Sequence, residues 1–245
     1  MPVVDATIAD EHAWCVQALA GAAAAGRARW RVWLYRAPEI VLGCSQRALH
    51  DAVVQRAPAG TTVSVRPSGG GAVHAGPWMV GASVVLPPDH RLLGAGLVAS
   101  YRWLGELHVR VLREAGIDAH AVEPSVARMA GQGRMRAPDG GSEALRWACF
   151  GALSPWEVVD ASGRKLTGLA QQRRRTGVAY SAGTLVARSD WMALCQALDR
   201  PGDAEALAAR TIACDEAPGA QRRSAADWAG RLDAALGELL SAPSR

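Results

Sequence analysis

At 245 residues, 49% apolar and 20% charged, the chain can bury one large core or two small ones and is too apolar to be disordered throughout. Its formal charge of +4 and pI near 9.0 suit an acidic protein partner, while the lack of a long basic stripe interleaved with aromatics argues against nucleic acid. The five scattered cysteines have no metal-ligand spacing, the start lacks a basic-then-apolar leader, and Ala18–Ala25 is too weakly apolar to span a bilayer, so we expect a reduced cytoplasm, no metal and no membrane.

Thr7 followed three residues on by Asp10 predicts a capped helix start, with Trp14, Ala18 and Leu19 on one face and Gly21 or Gly26 as its end. Arg31–Tyr35 and Glu39–Gly43 read as short strands joined through Ala37-Pro38, the first hairpin of a sheet. The stretch Ser64–Pro77 then places Gly69-Gly70-Gly71 between Val63 and Val65 on one side and a strand Val80–Leu86 on the other. Three glycines permit a tight connection or a close approach of bare backbone to a ligand. Arg66 before them and His74 after them favour a cradle with polar groups at its rim.

From Leu97 the apolar residues Tyr101, Leu104, Leu107, Val111 and Leu112 recur mostly at threes and fours until Gly116, which predicts a helix. Ala127–Arg146 is glycine-rich, charged and without period, and reads as a long mobile loop. Strands follow at Trp156–Val159, Lys165–Gln171 and Gly177–Val186, with Asp160–Gly163 turning between the first two. Beyond Ser189, a candidate N-cap, the chain reads helical. Its last segment opens at Ser224 with Asp227 and puts Trp228, Leu232, Leu236 and Leu239 on one side. Together these elements predict a single α+β domain over 1–245 with one mixed, largely antiparallel sheet, residues 189–245 supplying closing helices.

Cys149, in Trp147-Ala148-Cys149-Phe150, is on its own a small buried hydrophobe. Lys165 in the next hairpin changes that, because an ammonium beside a thiol favours the nucleophilic thiolate. Gly168 again permits close approach, and Gln171 adds an amide. His74 is equally a general base, a carboxylate partner or a satisfied histidine beside a turn. No His-Glu-x-x-His, phosphate-binding Gly-x-x-x-x-Gly-Lys or Gly-x-Ser-x-Gly occurs.

The order Trp33-Leu34-Tyr35, Ile40 to Gln46, Arg66-Pro67-Ser68-Gly69-Gly70-Gly71-Ala72-Val73-His74, Cys149-Phe150 and Gly163 to Gln171 resembles the lipoate-protein ligase A and octanoyltransferase family, whose catalytic fold is shared with biotin ligases. The resemblance runs from about Trp30 to Val186, without the biotin ligases' Gly-Arg-Gly-Arg. It implies an acyltransferase in which Cys149 is the nucleophile and Lys165 contacts the acyl carbonyl. Arg66, Ser68, Gly69, Gly70, Gly71 and Ala72 would then form the substrate wall, with His74, Gly168 and Gln171 beside it. The donor would be an acyl carrier protein, and the acceptor a lysine on a lipoyl domain of a 2-oxoacid dehydrogenase or on the glycine cleavage H protein. Such transfer needs no cofactor; an ATP-dependent ligase, the first alternative, would use ATP and magnesium through a lipoyl-adenylate. A non-catalytic lipoyl or octanoyl binder is the second. It draws on two departures from the family pattern, Ala182-Gly183 where relatives often show His-Gly and Pro67 where ligases frequently carry a polar residue.

Overall fold

The computed structural model describes residues 3–134 and 145–241. Val3–Ala6 (β1) leads into Ile8–Ala20 (α1) and a single turn, Ala22–Ala25 (α2). The predicted capping box starts α1: the Asp10 N–H donates to the Thr7 hydroxyl, and the Thr7 N–H to the Asp10 carboxylate at 2.8 Å. Strands Arg29–Tyr35 (β2) and Glu39–Leu42 (β3) precede the helix His50–Arg56 (α3), strands Thr62–Val65 (β4), Val73–Ala75 (β5) and Met79–Leu86 (β6), and the helix Arg102–Glu114 (α4). Ala119–Ala121 (β7), Pro124–Gly131 (α5), Val158–Asp160 (β8), Lys165–Arg174 (β9) and Gly177–Leu185 (β10) follow, and Trp191–Ala197 (α6), Ala204–Ala209 (α7) and Ala225–Ser241 (α8) close the chain.

Seven strands form the main sheet in the order β1-β2-β6-β10-β9-β8-β7, with β1–β2 parallel and the other pairs antiparallel. The expected mixed, largely antiparallel α+β sheet is therefore present. The expected first hairpin is not. β2 pairs with β1 and β6, whereas β3 is the middle strand of a separate three-stranded sheet, β4-β3-β5. All four residues of β3 are buried, and Glu39 accepts the Ile8 N–H at 2.7 Å, which carries the chain off the β2 plane after Pro38.

Apolar side chains pack on both faces of the main sheet. Trp14, Ala18 and Leu19 of α1 pack in one cluster with Trp33, Tyr35 and Ala179, and Leu104, Leu107 and Val111 of α4 meet Trp228, Leu232 and Leu236 of α8 in the other. α4 begins at Arg102 after a 3-10 turn, so Leu97 lies outside the helix and is 58% exposed. Asp190, not Ser189, caps α6 by accepting the Ala193 N–H at 3.0 Å. Part of the expected long loop is helical, because Pro124 at the first position starts α5; its stretch 135–144 lies outside the described residues. Among the described residues no helix is long and apolar enough to cross a membrane.

Candidate active site

The glycine-rich stretch joins β4 to β5, and Arg66 at its start holds it in shape. The buried guanidinium donates to the carbonyls of Gly69 at 3.0 and 3.2 Å and of Gly71 at 2.7 Å, which folds the three glycines around a single cation. Gly70 sits at φ +97°, a conformation that favours glycine. Gly71 faces the segment that carries Cys149: a Cβ there would lie 2.6 Å from the Trp147 carbonyl and 2.7 Å from the Ala148 carbonyl carbon. The Ala72 N–H donates to Trp147 O at 2.7 Å, and the Cys149 N–H to Ala72 O at 2.8 Å. Gln46 donates to the same Trp147 carbonyl at 2.9 Å while accepting the Gly43 N–H. The cradle thus grips the backbone of Cys149. Gly71→Ala is expected to push Cys149 out of line and to lower the melting temperature by several degrees, as overpacking by about 1–3 kcal/mol does; a melting temperature within about one degree of the parent's would contradict this.

Lys165 enters β9 with only 1% of its side chain exposed. Its ammonium meets Glu157 Oε2 at 2.7 Å, Cys149 O at 2.6 Å and Ala152 O at 3.1 Å, so its three donors are matched by three acceptors. Glu157, 2% exposed, also accepts the N–H groups of Ser154 at 2.7 Å and Leu169 at 3.2 Å. Burial pushes the Glu157 carboxyl above its ordinary range, against the pull of the Lys165 ammonium. Gly168 is where these groups converge. A Cβ there would lie 3.4 Å from the Cys149 sulfur, 3.4 Å from Lys165 Cε and 3.7 Å from Glu157 Oε1.

A cavity of about 850 Å³ opens beside this cluster. Arg66, the Ser68–Gly71 turn, Cys149, Gly168 and Gln171 border it, and Glu11, Cys15 and Tyr35 line it as well. Glu11 accepts from the Tyr35 hydroxyl at 2.7 Å and from the Ser83 hydroxyl at 2.6 Å. Burial raises the Cys15 thiol to about 12, so it stays protonated at neutral pH.

Three of the sequence candidates do not border the cavity. His74 is buried against Trp78, with its Nδ1 3.1 Å from the Ser189 hydroxyl, and burial pushes it down to about 4. Its place is that of a satisfied core histidine, on the side of β5 away from the cradle's opening. Ala72 contributes its backbone to Cys149, and Lys165 reaches the Cys149 turn from within the wall. Sequence reasoning missed Glu157 and Arg210, whose Nη1 donates to Gly151 O at 3.3 Å. Glu157 carried a signal, an acidic residue inside the apolar run Trp156 to Val159 that needs a buried partner; Arg210 carried none.

The model of the lipoyl protein ligase A/B catalytic domain matches residues 13–214, which include the cradle, Cys149 and Lys165. The chain belongs to this family. An octanoyltransferase, LipM, from Kyrpidia tusciae is 34% identical over 175 residues, 71% of this chain and 59% of its own length, so the chain spans about three fifths of that relative. Among solved structures, the bipartite lipoate protein ligase of Thermoplasma acidophilum superposes with a TM-score of 0.65 at 17% identity, covering 99% of this chain and 84% of its own. A lipoate-protein ligase A bound with ATP gives 0.67 at 18% identity, covering 99% and 85%. These two likenesses establish the ligase-type fold.

Within the family fold Gly168 leaves room beside the sulfur, and its backbone lies outside the left-handed region. A methyl group would make ordinary contacts there without straining the strand. Gly168→Ala is therefore expected to keep its melting temperature within about 3 °C while slowing alkylation of Cys149 by iodoacetamide roughly tenfold or more, since small misplacements at a reacting atom carry large rate effects. Unchanged alkylation would show that the space beside Gly168 is not the approach to the sulfur.

Proposed function

We propose that the protein moves an octanoyl or lipoyl group from a thioester donor to a lysine of a lipoyl carrier domain, by way of a thioester on Cys149. The observation that carries the reading is the meeting of the Cys149 sulfur and the Lys165 stem at Gly168, on the wall of the cavity. In the first step the Cys149 sulfur bonds to the acyl carbon, the donor's carbon–sulfur bond breaks, and the thiol proton passes to the departing sulfur. In the second the acceptor amine attacks, an amide forms, and Cys149 leaves as the thiol while the amine releases its proton. Lys165 exchanges one acceptor, Ala152 O at 3.1 Å being the longest of the three, for the developing oxyanion; a well-placed donor of this kind is worth roughly 3 kcal/mol.

The similarity to an octanoyltransferase supports the donor class, and the net charge of +4 suits acidic carriers such as an acyl carrier protein and a lipoyl domain. Because the donor thioester supplies the energy, the transfer needs neither ATP nor metal. All five cysteines are free, which fits a reducing cytoplasm, and residues 1–245 act as one catalytic unit. Incubation with an octanoyl thioester, without ATP, tests the proposal by intact mass: one octanoyl group should appear on the Cys149 peptide and discharge when a lipoyl domain is added. Modification of the lipoyl domain that requires ATP and free lipoate, with release of pyrophosphate, would replace this reading with a ligase. Ligand binding without turnover from either donor would leave a passive carrier.

A further inference from the structure

For most of its length β9 is paired on one side only. Toward β10 each residue from Thr167 to Arg174 has a partner, but β8 reaches only Lys165 and Thr167 on the other side. Among the described residues no strand pairs with that outer edge from Gly168 to Arg174. In an antiparallel ladder the N–H and C=O of one residue point the same way and successive residues alternate. The Leu169 N–H donates away from β10, to Glu157 Oε1, which fixes the alternation: Leu169, Gln171 and Arg173 turn their backbone groups outward. Leu169 to Gln172 border the cavity, in direct continuation of Gly168 and the Cys149 sulfur. Sheet edges left open are commonly blunted by charge. Here the exposed arginines, Arg173 to Arg175, stand at the tip, and the edge between them and Cys149 opens on the cavity.

We propose that this outer edge of β9 binds the extended, amide-bearing arm of the acyl donor as an added strand. The proposal rests on the transfer reading and assigns the arm's site within it. A pantetheine-type arm has two amides spaced along a flexible chain between its sulfur and a terminal phosphate. With the sulfur at Cys149, the arm starts at Gly168, an arm N–H can donate to Leu169 O, and an arm carbonyl can accept from the Gln171 N–H. Strands rise about 3.3 Å per residue, so Gly168 to Arg174 spans about 20 Å, which carries the phosphate end toward the arginine tip. Main-chain bonds of this kind hold an extended ligand whatever its side groups.

The test measures acylation of Cys149 by intact mass with two donors, octanoyl-pantetheine and the octanoyl ester of ethanethiol, which has no amide. With the parent protein, kcat/KM for octanoyl-pantetheine should exceed that for the ethanethiol ester about tenfold or more, as two modest hydrogen bonds provide. Gln171→Pro removes one outward N–H at an edge position where proline is tolerated, and should reduce that ratio severalfold. A second measurement needs no variant: replacing the arm's sulfur-proximal amide N–H by an ester oxygen should lower kcat/KM on the parent protein severalfold. Equal rates with both donors, or an ester analogue as good as the amide, would overturn edge binding while leaving the Cys149 thioester intact. Failure of both donors to acylate Cys149 would remove the transfer reading, and this one with it.

Discussion

Cys149→Ser is expected to lower acyl transfer roughly a thousandfold or more while leaving the fold unchanged. The contacts that position residue 149 are made by its backbone, the N–H to Ala72 O and the C=O from Lys165 Nζ, and neither involves the sulfur. Serine preserves both. What it removes is the sulfur nucleophile; an alcohol needs a positioned base to attack a thioester. The candidate bases do not supply it: His74 is turned into the core, and the Lys165 ammonium is occupied by three acceptors. The checks are the rate of lipoyl-domain modification and the mass of the protein after exposure to the donor. Transfer by the serine variant within tenfold of the parent would mean that the acyl group does not pass through residue 149.

Lys165→Met should be the most destabilising substitution at the site. It leaves the Glu157 carboxylate, 2% exposed, without its cation, and breaking a buried pair in this way costs about 3–5 kcal/mol. The effect has a definite pH sign. Burial already raises the Glu157 carboxyl above its ordinary value of 4.5, and loss of the ammonium raises it further. A carboxyl whose folded value is raised contributes stability that is complete below 4.5 and is lost as the pH rises through the folded value. The variant's deficit should therefore be largest near neutrality and shrink on acidification. Denaturant unfolding at both ends of that window measures it. Adding Glu157→Leu should recover most of the loss at neutral pH, since an apolar pair avoids the unpaired charge; a double variant no more stable than Lys165→Met alone would show that the ion pair is not the cause.

The main elements were legible where a pattern was long or punctuated. β6, β10 and α8 follow from apolar runs and a capping pair, and α4 from its period, although its first turn came out 3-10. β3 was legible as a strand but not as to its partner, because pairing depends on which neighbours bury its two faces. β1 went unread because it runs straight into the capping pair of α1 with no turn to set it off, and α5 was hidden by the glycines beyond it. At the site, Cys149 and Lys165 could be named from the order of short motifs. Glu157 could not, because its approach to Lys165 is set by the irregular register between Val158 and Val159 of β8 and by the turn after Asp160. His74 illustrates the converse. A histidine beside three glycines looks like chemistry in one dimension, yet β5 pairs it with Ile40 and turns its ring to Trp78 and Ser189.

The triple engagement of Lys165 ties the Cys149 peptide and the ammonium into one mechanical unit. On the transfer reading, an ammonium that trades Ala152 O for a substrate oxygen keeps its bond to Cys149 O at 2.6 Å, so one group holds both the acyl carbonyl and the peptide behind the sulfur. Grafting a cysteine alone onto a related scaffold would lack that interlock. The transplantable unit is the Cys149–Ala152 turn with Glu157 and Lys165 together.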